Sequence, residues 1–319
     1  MSGICGLFNL DGAPVADADL HAMTAMLGKR GPERTGHWQQ ESIGLGHALL
    51  ATTPELQFER QPFEHAETGC VITADVRLDN RQSLASALTL RESLETTGDA
   101  ELILEAYLKW GEDCPNRLLG DFAFAIWDPR HMRLFCARDH FGMRPLYHHR
   151  APGERLTFAS DVRAILVLAQ VPYRINEGRV ADFLVPQLEW YDYTSTFFDG
   201  VYRLPPGHKL IATPSSLGIE EYWRPQPGPA LGNLSDDEYR EGFVEVFRTA
   251  IDGVGGVALW LDADEISGKA DGDNLGIWHD LSGNANHALQ TQADLQPAYT
   301  AGALGGEPAV TFAGIETMV

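Results

Sequence analysis

The thiols, histidine pairs and carboxylate pairs of this 319-residue chain are the groups that could hold a metal or attack a carbonyl carbon. Their spacing argues against metal chemistry. The four cysteines, Cys5, Cys70, Cys114 and Cys136, are too scattered for a disulfide framework or a ligand pair. His148 and His149 follow Tyr147 with no third ligand near in sequence, so they read as a strand end. Asp262/Asp264 and Asp271-Gly272-Asp273 pair acids as a calcium loop does, but the alternating ligands and closing bidentate glutamate are missing. They read as solvated turn acids, and no metal is expected. Arg138-Asp139 reads as an ion pair or turn, and Trp190-Tyr191-Asp192-Tyr193 as a loop covering a sheet.

The elements that must position such groups follow from periodicity. Ile4 to Asn9 reads as a short buried strand ended by a turn at Asp11-Gly12. Asp19 is expected to cap a helix whose Leu20, Met23 and Leu27 share a face. A second helix is predicted from Asp99 to Trp110, stopped by Gly111, with Asp99 as its N-cap. Phe122, Phe124 and Ile126 then alternate with Ala123, Ala125 and Trp127, a hairpin turns at Asp128-Pro129, and Arg133 to Ala137 returns. Leu146 to His149 and Leu156 to Ala159 continue the strand pattern. Ser235-Asp236-Asp237-Glu238 is a capping box opening a helix with Tyr239, Phe243, Val246, Phe247 and Ala250 on one stripe. Strands in series with helices between the groups indicate an α+β layered fold.

A net charge of -21 repels phosphate backbones and anionic lipid, so neither nucleic acid nor membrane is an expected partner. No apolar run is long enough for a bilayer span and no basic-then-apolar leader opens the chain; the expectation is a soluble, cytoplasmic protein in a reducing compartment. Composition shifts near Gly253, beyond which nine acidic residues face a single basic one, Lys269. A Pro/Gly-rich stretch, Arg224 to Leu234, is a second boundary.

Six motifs then stand in order behind the opening Ser2-Gly3-Ile4-Cys5-Gly6-Leu7-Phe8. They are Arg30-Gly31-Pro32-Glu33, Gly120-Asp121-Phe122-Ala123-Phe124-Ala125, Arg138-Asp139-His140-Phe141-Gly142, Arg144-Pro145-Leu146-Tyr147, Phe158-Ala159-Ser160-Asp161 and Leu204-Pro205-Pro206-Gly207. Over about 220 residues the chain resembles class II glutamine amidotransferases, in particular glutamine-hydrolysing asparagine synthetases. The run Ala74 to Arg81 is similar to the branch that closes amide bonds in peptide tailoring, including lasso-peptide cyclases. The resemblance implies an Ntn-hydrolase-type α/β/β/α sandwich whose N-terminal residue is the nucleophile. After loss of Met1, the α-amine beside that residue, of pKa near ~8, serves as its base.

At the family's catalytic positions this sequence departs. Ser2 stands where the family has cysteine, and sliding the frame to Cys5 would bury the nucleophile's amine in a peptide bond; Cys5 reads as a small buried strand residue. Leu49 occupies the place of the arginine that binds the glutamine α-carboxylate. Asp75 and Val76 replace the asparagine and glycine of the oxyanion hole, where a carboxylate would repel the developing charge. Asp99 is retained as the holder of the substrate amine. The ATP-pyrophosphatase signature Ser-Gly-Gly-Leu-Asp-Ser is not found, so this chain is expected to carry no cofactor; ATP and magnesium belong to the synthetase domain.

Residues 1–223 are thus expected to form the amidotransferase-like domain, 224–252 a linker and the first helix of a missing synthetase domain, and 253–319 an incomplete all-β segment. The last resembles the start of a laminin-G or concanavalin-type jelly roll. The expected function is that of an asparagine-synthetase-like protein inactive as a glutaminase. The alternatives are a Ser2-dependent hydrolase of another amide and a binding or scaffold module. The expected partners are a small-molecule amide and a protein docked on the exposed helix 235–251.

Overall fold

The strand Gly120–Asp128 is apolar on both faces, and a strand of that kind is stable only when covered on both sides. The computed structural model describes residues 1–52, 56, 59–90, 93–94, 96–151, 155–185, 187–188, 192–226, 234–252, 266–279, 287–289, 296–304 and 307–311, and shows how that covering is achieved.

Two six-stranded antiparallel sheets carry the first unit, Met1–Pro229. The first sheet has the order β10-β8-β9-β1-β3-β2, formed by β1 (Gly3–Asn9), β2 (Arg34–Gln40), β3 (Ile43–Leu49), β8 (Tyr147–Ala151), β9 (Arg155–Ala159) and β10 (Val201–Arg203). The second has the order β12-β11-β7-β6-β5-β4, formed by β4 (Phe63–Glu64), β5 (Val71–Leu78), β6 (Gly120–Asp128), β7 (Arg133–Arg138), β11 (His208–Thr213) and β12 (Ser216–Glu221).

Three cores show how these layers stack. Between the sheets, Ile4 and Phe8 of β1 meet Ala123, Ala125 and Trp127 of β6. On the outer face of the first sheet, Cys5 and Leu7 pack on Leu20 and Met23 of α1 (Asp17–Met26) and on Ala164 and Ile165 of α4 (Val162–Leu166), which α5 (Glu177–Leu184) follows in the chain. On the outer face of the second sheet, Phe122, Phe124 and Ile126 pack with Leu84 of α2 (Arg81–Leu88) and with Leu102, Ile103 and Ala106 of α3 (Asp99–Trp110). The result is the helix, sheet, sheet, helix order of the expected α+β sandwich. Within the first sheet, Gly6 makes room for the ring of its cross-strand partner Phe158, from which an added Cβ would lie 2.4 Å. Gly111, at φ 60°, ends α3 with a backbone turn that side-chain-bearing residues rarely adopt.

Two expected caps are corrected. The first helix begins at Asp17 rather than after Asp19, and Asp19 turns to Arg155, 2.9 Å away. Asp99 is the first residue of α3 and not its cap; Gly98 holds the cap position without a side-chain bond, and the Asp99 carboxyl reaches back to β5. The strands β2, β3 and β5 also go beyond the sequence reading. Gly44, Gly46 and the polar Thr73 and Asp75 interrupt their apolar alternation, although these positions are buried.

The second unit, Ala230–Val319, contains α6 (Asp236–Asp252), the pair β13 (Ile277–Trp278) and β14 (Ala288–Leu289), and the pair β15 (Ala298–Leu304) and β16 (Glu307–Thr311). The capping box is formed: Ser235 N–H donates to Glu238 Oε2 at 2.7 Å, and Glu238 N–H donates back to Ser235 Oγ. Tyr239, Phe243, Val246 and Phe247 are exposed. The expected strand 257–261, the Asp262/Asp264 pair, Phe312, Trp190 and Tyr191 lie outside the described residues, as does the Ala250 side chain. Asp271 and Asp273 accept backbone N–H groups from Ala301 and Ala270, as turn acids do.

Candidate active site

Even-numbered β1 residues face the space between the sheets, so Ser2, one residue before the strand, stands at the end of that space. It is buried, and its Oγ accepts the Leu50 backbone N–H at 3.1 Å. Arg30, from the first internal motif, donates its Nε to the Ser2 carbonyl at 3.2 Å, and its Nη2 lies 3.5 Å from Asp75 Oδ2. Asp75 comes from the opposite sheet, on β5, where it pairs across to Ala123. Its second oxygen lies 3.6 Å from Arg144 Nη1. The carboxylate therefore sits between two guanidinium groups beside the chain's amino end. Burial pushes its pKa up; Arg144, Arg30, the terminal ammonium and the Ser2 backbone N–H work against that. The terminal ammonium itself is lowered by burial and raised by Asp75.

Arg144 is aimed by the loop that the sequence reading assigned to an Arg138-Asp139 ion pair or turn. It is a turn, braced through the backbone. Asp139 accepts the N–H groups of Phe141, Met143 and Arg144 at 2.9–3.1 Å, and Arg138 donates to the carbonyls of Gly142, Arg144 and Leu204. Two motifs that look separate in sequence thus make one support.

The other expected site residues are distributed on two sides of the second sheet. Leu49 joins Ser2 and Asp75 at the end of the inter-sheet space. Val76 turns the opposite way, into the core under α3. Asp99 lies on that side too, where Oδ2 accepts the Leu78 N–H at 2.8 Å and Oδ1 is bound by the Arg81 guanidinium. Arg81 is fixed in turn by the carbonyls of Leu94 and Thr97, at 2.7 and 2.8 Å. The group expected to hold a substrate amine already has a cation on it.

Three residues that sequence reasoning passed over surround these. Glu59 is buried beside Asp99, accepts the Ala100 N–H at 2.9 Å, and is pushed up to about 7, first by burial and then by the Asp99 charge against its bonds. His47 is buried and driven down to about 4 by burial, so its imidazole is neutral. Arg34 stands directly across from Leu49 in the β2/β3 ladder. The only signal for Arg34 in the sequence is its place just after Arg30-Gly31-Pro32-Glu33; its relation to Leu49 exists only through strand pairing. Cys5 is fully buried on the helix side, its thiol pushed up to about 12 by burial, which leaves it inert. His148 is a buried residue of β8, and among the described residues no three His, Cys, Asp or Glu side chains could hold a metal. No helix among them is long and apolar enough to cross a membrane.

Two antiparallel sheets between helical layers, with the chain's first strand inside one sheet and residue 2 at the sheet end, define an Ntn-hydrolase-type amidotransferase fold. The match to a solved structure agrees: the glutamine phosphoribosylpyrophosphate amidotransferase of Bacillus subtilis shares 18% identity at a TM-score of 0.50, over 69% of this chain and 49% of that one. A glutamine amidotransferase domain model matches residues 1–223, and the chain belongs to that family, as a class II member of the asparagine synthetase type. Glutamine-hydrolysing asparagine synthetase 3 of Bacillus subtilis is 30% identical over 70% of this chain and 36% of its own length. Amidase chry2 of Gibberella zeae is 27% identical over 73% of this chain and 34% of its own. The chain spans about a third of the length of these two curated relatives.

Proposed function

We propose that residues 1–223 are an amidotransferase-type domain that has kept the family fold and lost glutamine hydrolysis. The observation that carries this reading is the Asp75 carboxylate between Arg30 and Arg144 at the position of an oxyanion donor. A developing oxyanion there meets negative charge instead of an N–H or amide, and losing such a donor costs about 2.7–4 kcal/mol. Arg81 on Asp99 supports the same reading, because the amine of a free amino acid would have to displace a guanidinium. In this proposal 224–252 is a linker and the first helix of a synthetase domain. Its exposed Tyr239, Phe243 and Phe247 supply the apolar face such a domain would cover. Residues 253–319 are the start of a laminin-G-like module.

A second reading, Ser2-dependent hydrolysis of another amide, is favoured by the Ser2 hydroxyl lying at the family's nucleophile position and by relatives named as amidases. The test of the main reading is glutamate release from glutamine by the purified full chain, with the mass of its N-terminus recorded. No release above buffer is expected, and steady turnover refutes the loss of function.

A further inference from the structure

We propose that the outer face of the first sheet carries a second binding site, at the end of β1 remote from Ser2, and that its ligand is a single neutral hydroxylated ring, a monosaccharide or cyclic polyol. The inference stands apart from the reading of the amidotransferase site and holds whether or not glutamine is hydrolysed.

Strand register builds the site. Asn9 pairs with Arg155 and Leu7 with Thr157, while His149 and Ala151 of β8 pair with Thr157 and Arg155. Directly opposed residues project from the same face. Leu7 packs on the helix side, so all of these point away from the space between the sheets. Along the strand, Asn9 stands roughly 23 Å from Ser2. The helix layer ends here: α4 stops at Leu166, and the turn after it lays Leu168 and Val171 over the strand ends. Between that turn and the strands is a cavity of about 280 Å³, lined also by Asp11, Pro14 and Gln170. Sites for drug-sized ligands span roughly 300–1,000 Å³, so this one takes a single ring.

Thr157 is the group that calls for a ligand. The residue is 1% exposed, it lines the cavity, and its Oγ1 has no hydrogen-bond partner among the described residues. A buried hydroxyl left unpaired costs free energy that a bound partner removes. His149 offers the matching acceptor. Its Nδ1 donates to the Gly200 carbonyl at 2.7 Å and so carries the proton, which leaves Nε2 of the neutral ring to accept. Arg155 supplies donors. Its Nε donates to Asn9 Oδ1 at 2.7 Å and its Nη1 to Asp19 Oδ2 at 2.9 Å, so Nη2 still has N–H groups to give. Asn9 in turn donates to the carbonyls of Ala13 and Pro14, at 2.8 and 3.1 Å, which fixes the 11–14 turn as the rim.

Charge decides the class of ligand. Asp19 neutralises Arg155, and Asp11 adds a carboxylate to the rim, so an anion is not drawn in. The Arg155 guanidinium equally repels a cation. What remains is a neutral ligand whose groups both donate and accept. It answers Thr157 and Arg155 on one side and His149 and Gln170 on the other, over an apolar wall of Leu168 and Val171. Hydroxyls on a compact carbon ring have that pattern.

The experiment is titration of the full chain with D-ribose, D-glucose and myo-inositol, and with phosphate and glutamate as ionic controls, followed through the methyl NMR signals of Leu168, Val171 and Leu49. At least one of the three neutral rings should bind in the millimolar range, shift Leu168 and Val171, and leave Leu49, beside Ser2, unmoved. Thr157→Val keeps the shape of the wall and deletes the hydroxyl; it should weaken that ring about fivefold. The proposal is overturned on the wild type alone, whether or not the variant folds, if no neutral ring shifts Leu168 and Val171 at tens of millimolar, or if phosphate or glutamate shifts them at lower concentration than any ring. A Thr157→Val protein that binds the ring as the wild type does overturns it as well.

Discussion

Asp75 and Arg144 meet 3.6 Å apart at the end of the inter-sheet space, one from the middle of a strand and one from a loop braced by Asp139. Neither charge could be left there alone. Asp75→Ala should therefore destabilise the fold by about 3 kcal/mol, because Arg144 and Arg30 lose their anion while remaining partly buried. Urea denaturation of the two proteins measures it; a change within a few tenths of a kcal/mol would mean that water already compensates the arginines.

Removing Arg81 tests the same logic on the other side of the sheet. Arg81→Met keeps the stem and deletes the cation on buried Asp99, together with the bonds to the Leu94 and Thr97 carbonyls. A loss of about 3 kcal/mol is expected, with faster amide exchange at Leu78, whose N–H depends on the position of Asp99. Unchanged exchange there would show that Asp99 is held without Arg81.

Glu59 gives the chain a pH dependence of definite sign. Its carboxyl is raised from 4.5 to about 7 in the folded protein, mainly by burial, so the folded state binds that proton more tightly than the unfolded state. Its penalty is absent below pH 4.5 and grows as pH rises toward 7. Glu59→Gln should remove it: the stability of the variant relative to wild type should climb through that window, by up to about 3 kcal/mol. Parallel stability curves from pH 4 to 8 would contradict this.

Restoring the thiol alone should not restore a glutaminase. Ser2→Cys leaves Leu49, Asp75 and the Arg81-bound Asp99 as they are, so glutamate release should stay near background. Adding Leu49→Arg and Asp75→Asn with Val76→Gly should raise it by more than the sum of the separate changes, since such groups act as a unit. Val76 packs under α3, and its loss costs stability as a cavity does, so the combined variant is best assayed at low temperature. High activity in the Ser2→Cys protein would show that the other changes are harmless.

Limited digestion with a broad-specificity protease should cut first between Arg224 and Gly256 or in the segment beyond it. Arg224 is exposed just past the last strand of the second sheet, and α6 carries an uncovered apolar stripe. A core near residues 1–223 should resist. Cleavage starting inside β1 to β12 would contradict this.

Much of the architecture was legible in local pattern. The alternation from Phe122 to Trp127 shows a strand covered on two faces, the period from Leu102 to Trp110 a helix with one buried face, and Gly111 its end, because each depends on neighbours only a few residues away. Ser2, Leu49 and Asp75 could be marked as departures from a family pattern by order alone. What they meet could not. Arg34 faces Leu49 through a ladder, Arg30 and Arg144 close on Asp75 from two separate loops, and Arg81 reaches Asp99 across eighteen positions of sequence. Strand register and sheet stacking decide those encounters, and both are set by the burial of whole faces rather than by any residue's own preference. The same holds for Glu59: one-dimensional reading shows a surface-type carboxylate, and only the packed chain takes it out of water.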